Sequence, residues 1–186
     1  MRTGALTCRV RFEGARAVGV NYLKRGRSTS VRAEREVILA GGAINSPQLL
    51  MLSGIGDADH LARLGIPVIA HLPGVGRNLQ DHVEIYVQHA CTRPISLYDA
   101  QKPWNKLRIG LEWLLYKRGL GASSHFEAGA FIRSRAGVEH PDLQYHFLPI
   151  AMNYDGSNPA DSHGFQAHVG PMRPTSVGRL RLRSAD

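Results

Sequence analysis

Apolar and polar positions alternate along the first part of the chain. Residues 6–12 and 17–23 are short β-type runs joined by Glu13-Gly14, and residues 24–29 form a polar, Gly-containing loop before a third run over 31–40. This pattern predicts a β-meander. Its last stretch, Glu36-Val37-Ile38-Leu39-Ala40, turns continuously apolar, as a strand does when it is buried on both faces of a helix-covered parallel sheet. Gly41-Gly42 follow at once, then Ser46 as an N-cap with Pro47 at the first helical position, and the helix over 47–52 closes at Ser53-Gly54. Residues 57–64 predict a second short helix with acids in its first turn and Gly65 just past its end. Residues 66–70 return as a strand, and 72–79 read as a Gly/Pro loop.

From His82 the texture changes. A β run reaches Ala90, a Pro-containing linker covers 93–103, and an amphipathic helix follows in which Trp104, Leu107, Leu111, Leu114 and Leu115 make one apolar stripe. Gly119 and Gly121 close it. Four more β candidates, 126–133, 143–150, 165–172 and 178–183, have no helices between them, which predicts an antiparallel sheet. The fold class is therefore mixed, α+β with an α/β portion. Residues 1–81 read as part of a Rossmann-like nucleotide-type domain (β-meander, buried strand, helix), and residues 82–186 as part of an antiparallel-sheet domain.

Composition adds little to this. The 186 residues are 43% hydrophobic and 20% charged, close to the globular average, so disorder, collagen and coiled coil are poor readings. The net charge of +8 invites a polyanion partner, but it is concentrated at the ends. Residues 1–40 hold nine basic side chains against three acidic ones, whereas the middle of the chain is nearly balanced. Arg9, Arg11 and Arg16, and likewise Arg179, Arg181 and Arg183, recur at strand-like spacing, which reads as solvated strand faces and predicts no nucleic-acid partner. A basic binding module for an anionic partner is the rival reading from another class.

Cys8 and Cys91 have no CxxC spacing and fit a reducing compartment. No apolar stretch approaches the ~20 residues of a membrane span, and Met1 is followed by no signal-peptide pattern. The expected place is the cytoplasm or the inner face of a membrane, with peripheral association left open. Nine histidines without repeated ligand spacing predict no metal site, and no Ser or Cys nucleophile stands in a recognisable elbow.

The unit from Glu36 to Gly56 is strand, Gly-Gly, helix start. Glycines let a ligand approach the backbone, and the free N–H groups of a helix start favour an anion such as a pyrophosphate, although the G-x-G-x-x-G spacing is absent. As a string, Gly42-Ala43-Ile44-Asn45-Ser46-Pro47-Gln48-Leu49-Leu50-Met51-Leu52-Ser53-Gly54-Ile55-Gly56 resembles the second signature of the glucose-methanol-choline (GMC) flavoprotein oxidoreductases. Pro73-Gly74-Val75-Gly76-Arg77-Asn78-Leu79-Gln80-Asp81-His82 resembles that family's G-V-G-x-N-L-Q-D-H loop. Ser123-Ser124-His125-Phe126-Glu127-Ala128-Gly129-Ala130, Gln144-Tyr145-His146-Phe147-Leu148-Pro149 and His163-Gly164-Phe165-Gln166-Ala167-His168-Val169-Gly170 are similar to its choline-oxidising branch.

The resemblance implies an FAD enzyme that oxidises choline to betaine aldehyde, and in this branch often onward to glycine betaine, by hydride transfer to flavin N5. A small-molecule substrate is the expected partner, with another primary alcohol as the alternative. The family's G-x-G-x-x-G loop would lie upstream and its catalytic His downstream, so no catalytic residue is expected in this segment. The resemblance assigns Thr7 and Cys8 to the adenine side of FAD through main-chain atoms, and Ala40, Gly41 and Gly42 to its adenosine and pyrophosphate side. It assigns Glu127 to the trimethylammonium group, and His125 and His146 to the substrate pocket.

Overall fold

The computed structural model describes residues 1–153 and 161–185. It divides into two compact units, residues 1–80 with 176–186, and residues 81–175. In the first unit β1 (Leu6–Glu13), β2 (Arg16–Lys24) and β3 (Arg27–Arg32) form an antiparallel meander in the order β1-β2-β3. Val10, Val18 and Tyr22 are its buried hydrophobic side chains. The loop expected over 24–29 is much tighter. Arg25 and Gly26 both have positive φ (51° and 74°), the requirement of a two-residue hairpin turn whose twist matches its strands, so β3 begins at Arg27.

The strand expected over 36–40 does not form. β3 ends at Arg32, the following stretch joins no sheet, and Ile38 is 77% exposed. A strand is held by ladder partners, and none of the described strands pairs with this segment. α1 (Gly42–Leu52) starts one turn earlier than expected, with Gly41 as its N-cap. Ser46 lies inside the helix, and its Oγ accepts from the Gly41 N–H at 2.9 Å. Pro47 sits beyond the first turn, where it removes one intrahelical bond. At the other end, Ser53 Oγ donates to Leu49 O at 2.6 Å and accepts from Val10 N at 2.8 Å, which ties α1 to β1 through a buried hydroxyl.

The expected strand over 66–70 shrinks to a two-residue parallel pair, β4 (Ile55–Gly56) with β5 (Ala70–His71). Between them lies α2 (Ala58–Arg63), capped by Asp57 Oδ1 accepting from His60 N at 3.0 Å. β6 (Arg77–Leu79) lies within the expected Gly/Pro loop and pairs with a strand from the far end of the chain, Gly178–Arg179. Residues 176–186 therefore join the first unit and not the stretch over 82–186. Leu180 N donates to Gly76 O at 2.7 Å, and Leu180 and Leu182 pack on the core of Met51, Leu61 and Ile66. Removing that core from water contributes about 1.5–3 kcal/mol per side chain.

In the second unit β7 (Ile85–Ala90), β8 (Ala128–Ile132), β9 (Leu143–Leu148) and β10 (Gly164–Pro171) form one antiparallel sheet in the order β7-β10-β9-β8. Gly178–Arg179 is then β11. Two short 3₁₀ turns, Leu97–Gln101 and Leu120–Ala122, flank α3 (Pro103–Tyr116). The stripe expected on α3 lies on a real helix, yet no residue of α3 is buried. Alternation sorts the sheet into two faces. Ile85, Val87, Phe165, Ala167, Val169, Tyr145 and Phe147 share one, while Tyr86, Gln88, Gln166, His168, Gln144 and His146 share the other. An antiparallel sheet with one polar face leaves that face free for chemistry.

Candidate functional site

A cavity lies in the first unit and another in the second. In the first, a space of about 1020 Å³ is lined by Thr7, Cys8, Ala40, Gly41, Asn45 and Ser46, among others. The register of β1 against β2 slips between Thr7 and Arg9, so Cys8 bulges out of the ladder. β1 is also the edge of its sheet, with one row of backbone groups outside the ladder. The Cys8 thiol turns back on Leu6 O at 3.4 Å. This edge therefore presents main-chain atoms rather than a side chain.

Apart from the Ser46 hydroxyl on the Gly41 N–H, no side-chain cap is made at the start of α1, and no acid lies in the first turn. Such a start attracts an anion through its unsatisfied donors and the helix dipole. Gly42 has φ 81°, the left-handed region, which brings the chain from 41 into the helix. A Cβ at Gly41 would lie 3.1 Å from Asn45 Cβ and 3.3 Å from Ser46 N, so the backbone of α1 is approached most closely where glycine stands. Thr7, Cys8, Ala40 and Gly41 line the cavity together, with Gly42 next in the chain.

The second cavity, about 580 Å³, lies on the polar face of the four-stranded sheet and is lined by His82, Glu84, Tyr86, Phe126, Gln144, His146, His168 and Gly170. The register builds it. Gly129, His146, His168 and Tyr86 stand opposite one another in a single row across β8, β9, β10 and β7. The Tyr86 and His168 rings are 4.0 Å apart between centroids, and Phe126 meets His146 and His168 edge-on at 5.6 and 6.3 Å. Glu84 Oε1 is 2.8 Å from His168 Nδ1, and its side chain is 34% exposed. One carboxylate among aromatic faces suits an organic cation without N–H groups, which can be held only by charge and by π faces.

Of the three expected substrate residues, His146 lines this cavity and the other two do not. Glu127 is exposed, immediately before β8. His125 is half-buried at φ 64°, its N–H donates to Ser123 Oγ at 3.0 Å, and its buried Nδ1 has no partner. Glu84, Gln166 and His168 have no place in the expected set. The alternation Glu84-Ile85-Tyr86-Val87-Gln88 is a signal for Glu84, but it says nothing of the partner strand. Among the described residues no group of three His, Cys, Asp or Glu could hold a metal ion, and no helix is long and apolar enough to cross a membrane.

Residues 1–84 match the family model described as GMC oxidoreductase. The chain is 64% identical over 181 residues to "Choline dehydrogenase, mitochondrial" of Homo sapiens. The chain belongs to the GMC oxidoreductases. A second GMC relative, "Oxygen-dependent choline dehydrogenase" of Brucella ovis, is 61% identical over 176 residues. These matches cover 97% and 94% of this chain but only 30% and 32% of the relatives, so the chain spans about a third of their length. Solved structures share the fold. A formate oxidase superposes with a TM-score of 0.86 at 24% identity, over 98% of this chain and 37% of that one. A pyridoxine 4-oxidase gives 0.70 at 26% identity, over 98% and 32%.

Proposed function

We propose that this chain is a part of an FAD-dependent alcohol oxidoreductase that holds portions of its FAD-binding domain (residues 1–80 with 176–186) and of its substrate domain (residues 81–175), and that the substrate is choline. The observation that carries the substrate reading is Glu84 in a cavity walled by Tyr86 and Phe126. An uncharged alcohol offers that carboxylate no positive charge to attract. The relatives named as choline dehydrogenases support the same reading. Glu84, and not Glu127, takes the trimethylammonium group in this proposal, because Glu84 lines the cavity and Glu127 does not.

The residues of the first cavity fit FAD. The start of α1 with Gly41 and Gly42, which has no acid in its first turn, suits the pyrophosphate, and the edge of β1 at Thr7 and Cys8 offers main-chain donors and acceptors to the adenine. When bound, FAD supplies the hydride acceptor for oxidising choline to betaine aldehyde. This chain's own residues orient the substrate: Glu84 attracts the cation, Phe126 and Tyr86 cover it, and His146 offers a ring nitrogen to the substrate oxygen.

The test is the complete protein, purified and assayed for bound flavin and for choline-dependent reduction of a redox dye. Turnover of choline well above that of simple primary alcohols is expected. A flavin-loaded protein that reduces the dye with another alcohol and not with choline overturns the substrate reading.

A further inference from the structure

A chain of hydrogen bonds runs behind Glu84 across the polar face of the sheet. The Met152 backbone N–H and Gln88 Nε2 both donate to Gln166 Oε1, each at 2.8 Å. A backbone N–H can only donate, so the atom that it meets is the amide oxygen, and Gln166 has one orientation. Gln88 is fixed the same way, since its Nε2 also meets the Met152 carbonyl, which can only accept. The Nε2 of Gln166 is then a donor, and it lies 2.5 Å from His168 Nε2. A ring nitrogen that accepts carries no proton. The ring proton of His168 is therefore on Nδ1, where Glu84 Oε1 accepts it at 2.8 Å.

The geometry points to His168 as a positioning residue: a neutral imidazole, held in its Nδ1–H tautomer by Gln166, that orients Glu84 at the cavity wall without neutralising it. An imidazolium would set two N–H groups against each other at the Gln166 contact. Gln166 is only 2% exposed, so water has no room to relieve that clash. The consequence is charge. A protonated His168 beside an ionised Glu84 makes a pair with no net attraction for a cation, whereas a neutral His168 leaves one full negative charge facing the rings of Tyr86 and Phe126. The other titratable groups lining the cavity are His82, His146 and Tyr86, so Glu84 is the one carboxylate among the lining residues.

This inference rests on reading the cavity as a cation site, and its test separates the two. In the complete protein, His168→Leu removes the donor, His168→Asn places an amide N–H2 near the Nδ1 position, and His168→Gln places one near Nε2 instead. His168→Leu is expected to raise KM for choline about tenfold, the effect of losing one charge-assisted hydrogen bond. KM for the neutral isostere 3,3-dimethylbutanol should rise much less than KM for choline, because the isostere carries no charge for Glu84 to attract. Asn should restore choline affinity and Gln should not.

Equal losses on both substrates, or equal rescue by Asn and Gln, overturn the positioning role. Histidine ¹⁵N NMR reads the tautomer without turnover. A neutral Nδ1–H pattern for His168 that is lost in Gln166→Leu is expected, and an imidazolium pattern at neutral pH overturns the assignment whichever alcohol is oxidised. If the Nδ1–H pattern is present but choline is not turned over, the hydrogen-bond assignment stands and the substrate reading falls.

Discussion

Replacing Glu84 by Gln removes one charge and keeps the size of the side chain and an oxygen that can accept from His168. A quaternary nitrogen about 5 Å from a carboxylate is attracted by about 2–3 kcal/mol at an effective dielectric of about 20–30. Glu84 is 34% exposed, so solvent screens part of this. A loss of about 1–2 kcal/mol remains, roughly 5- to 30-fold in the Kd for choline. The isostere 3,3-dimethylbutanol has the same shape and no charge, so its affinity should change by less than about twofold. Glu127 is exposed, and at a dielectric near that of water Glu127→Gln should cost choline less than about fivefold. The assay is equilibrium titration of the flavin-loaded complete protein with both ligands, for both variants. If Glu127→Gln abolishes the preference for choline while Glu84→Gln leaves it intact, the cavity on the polar face is not the cation site and the reasoning fails.

Leu61 is fully buried between Met51 and Ile66, so Leu61→Ala should destabilise the first unit by about 2–5 kcal/mol, through lost burial and a residual cavity. Urea unfolding with hydrogen exchange over residues 55–71 measures it, and an unchanged midpoint contradicts the packing described. His60 is 9% exposed. Burial, reinforced by the charges of Arg181 and Arg63, holds its imidazole below the ordinary histidine range. The unfolded chain therefore takes up the proton first, so this group costs nothing above about pH 6.5 and destabilises the fold as pH falls below it. Between pH 7.5 and 5.5 the wild type should lose more in Tm than His60→Gln, and parallel losses would argue against this account.

Local chemistry made much of the fold legible. The acids at the start of the expected 57–64 helix and the glycine after it bracketed α2 to within a residue, because such end signals lie next to the helix in sequence; Asp57 proves to be its N-cap. Alternation likewise located β1, β2, β9 and β10 closely. The failures are those in which the deciding partner is distant. Residues 36–40 have the composition of a doubly buried strand, but a ladder needs a neighbour and none of the described strands supplies one. Ser46 and Pro47 look like a helix start, yet Gly41 and Gly42 begin the helix a turn earlier, and the Ser46 hydroxyl serves the Gly41 N–H.

The chemistry divides in the same way. The strings around Gly42 and Pro73 were enough to recognise the family, because each is contiguous along the chain. The cavity on the polar face could not. Glu84 and His168 are 84 residues apart, and Met152, Gln166 and Gln88 meet only because β7, β10 and β9 lie side by side in one register. Sequence sets which face of its own strand each side chain occupies, since that period is a property of the backbone. Which strands are neighbours, and in what register, is decided by tertiary pairing. That pairing brought one carboxylate, one oriented imidazole and two aromatic rings into a single site.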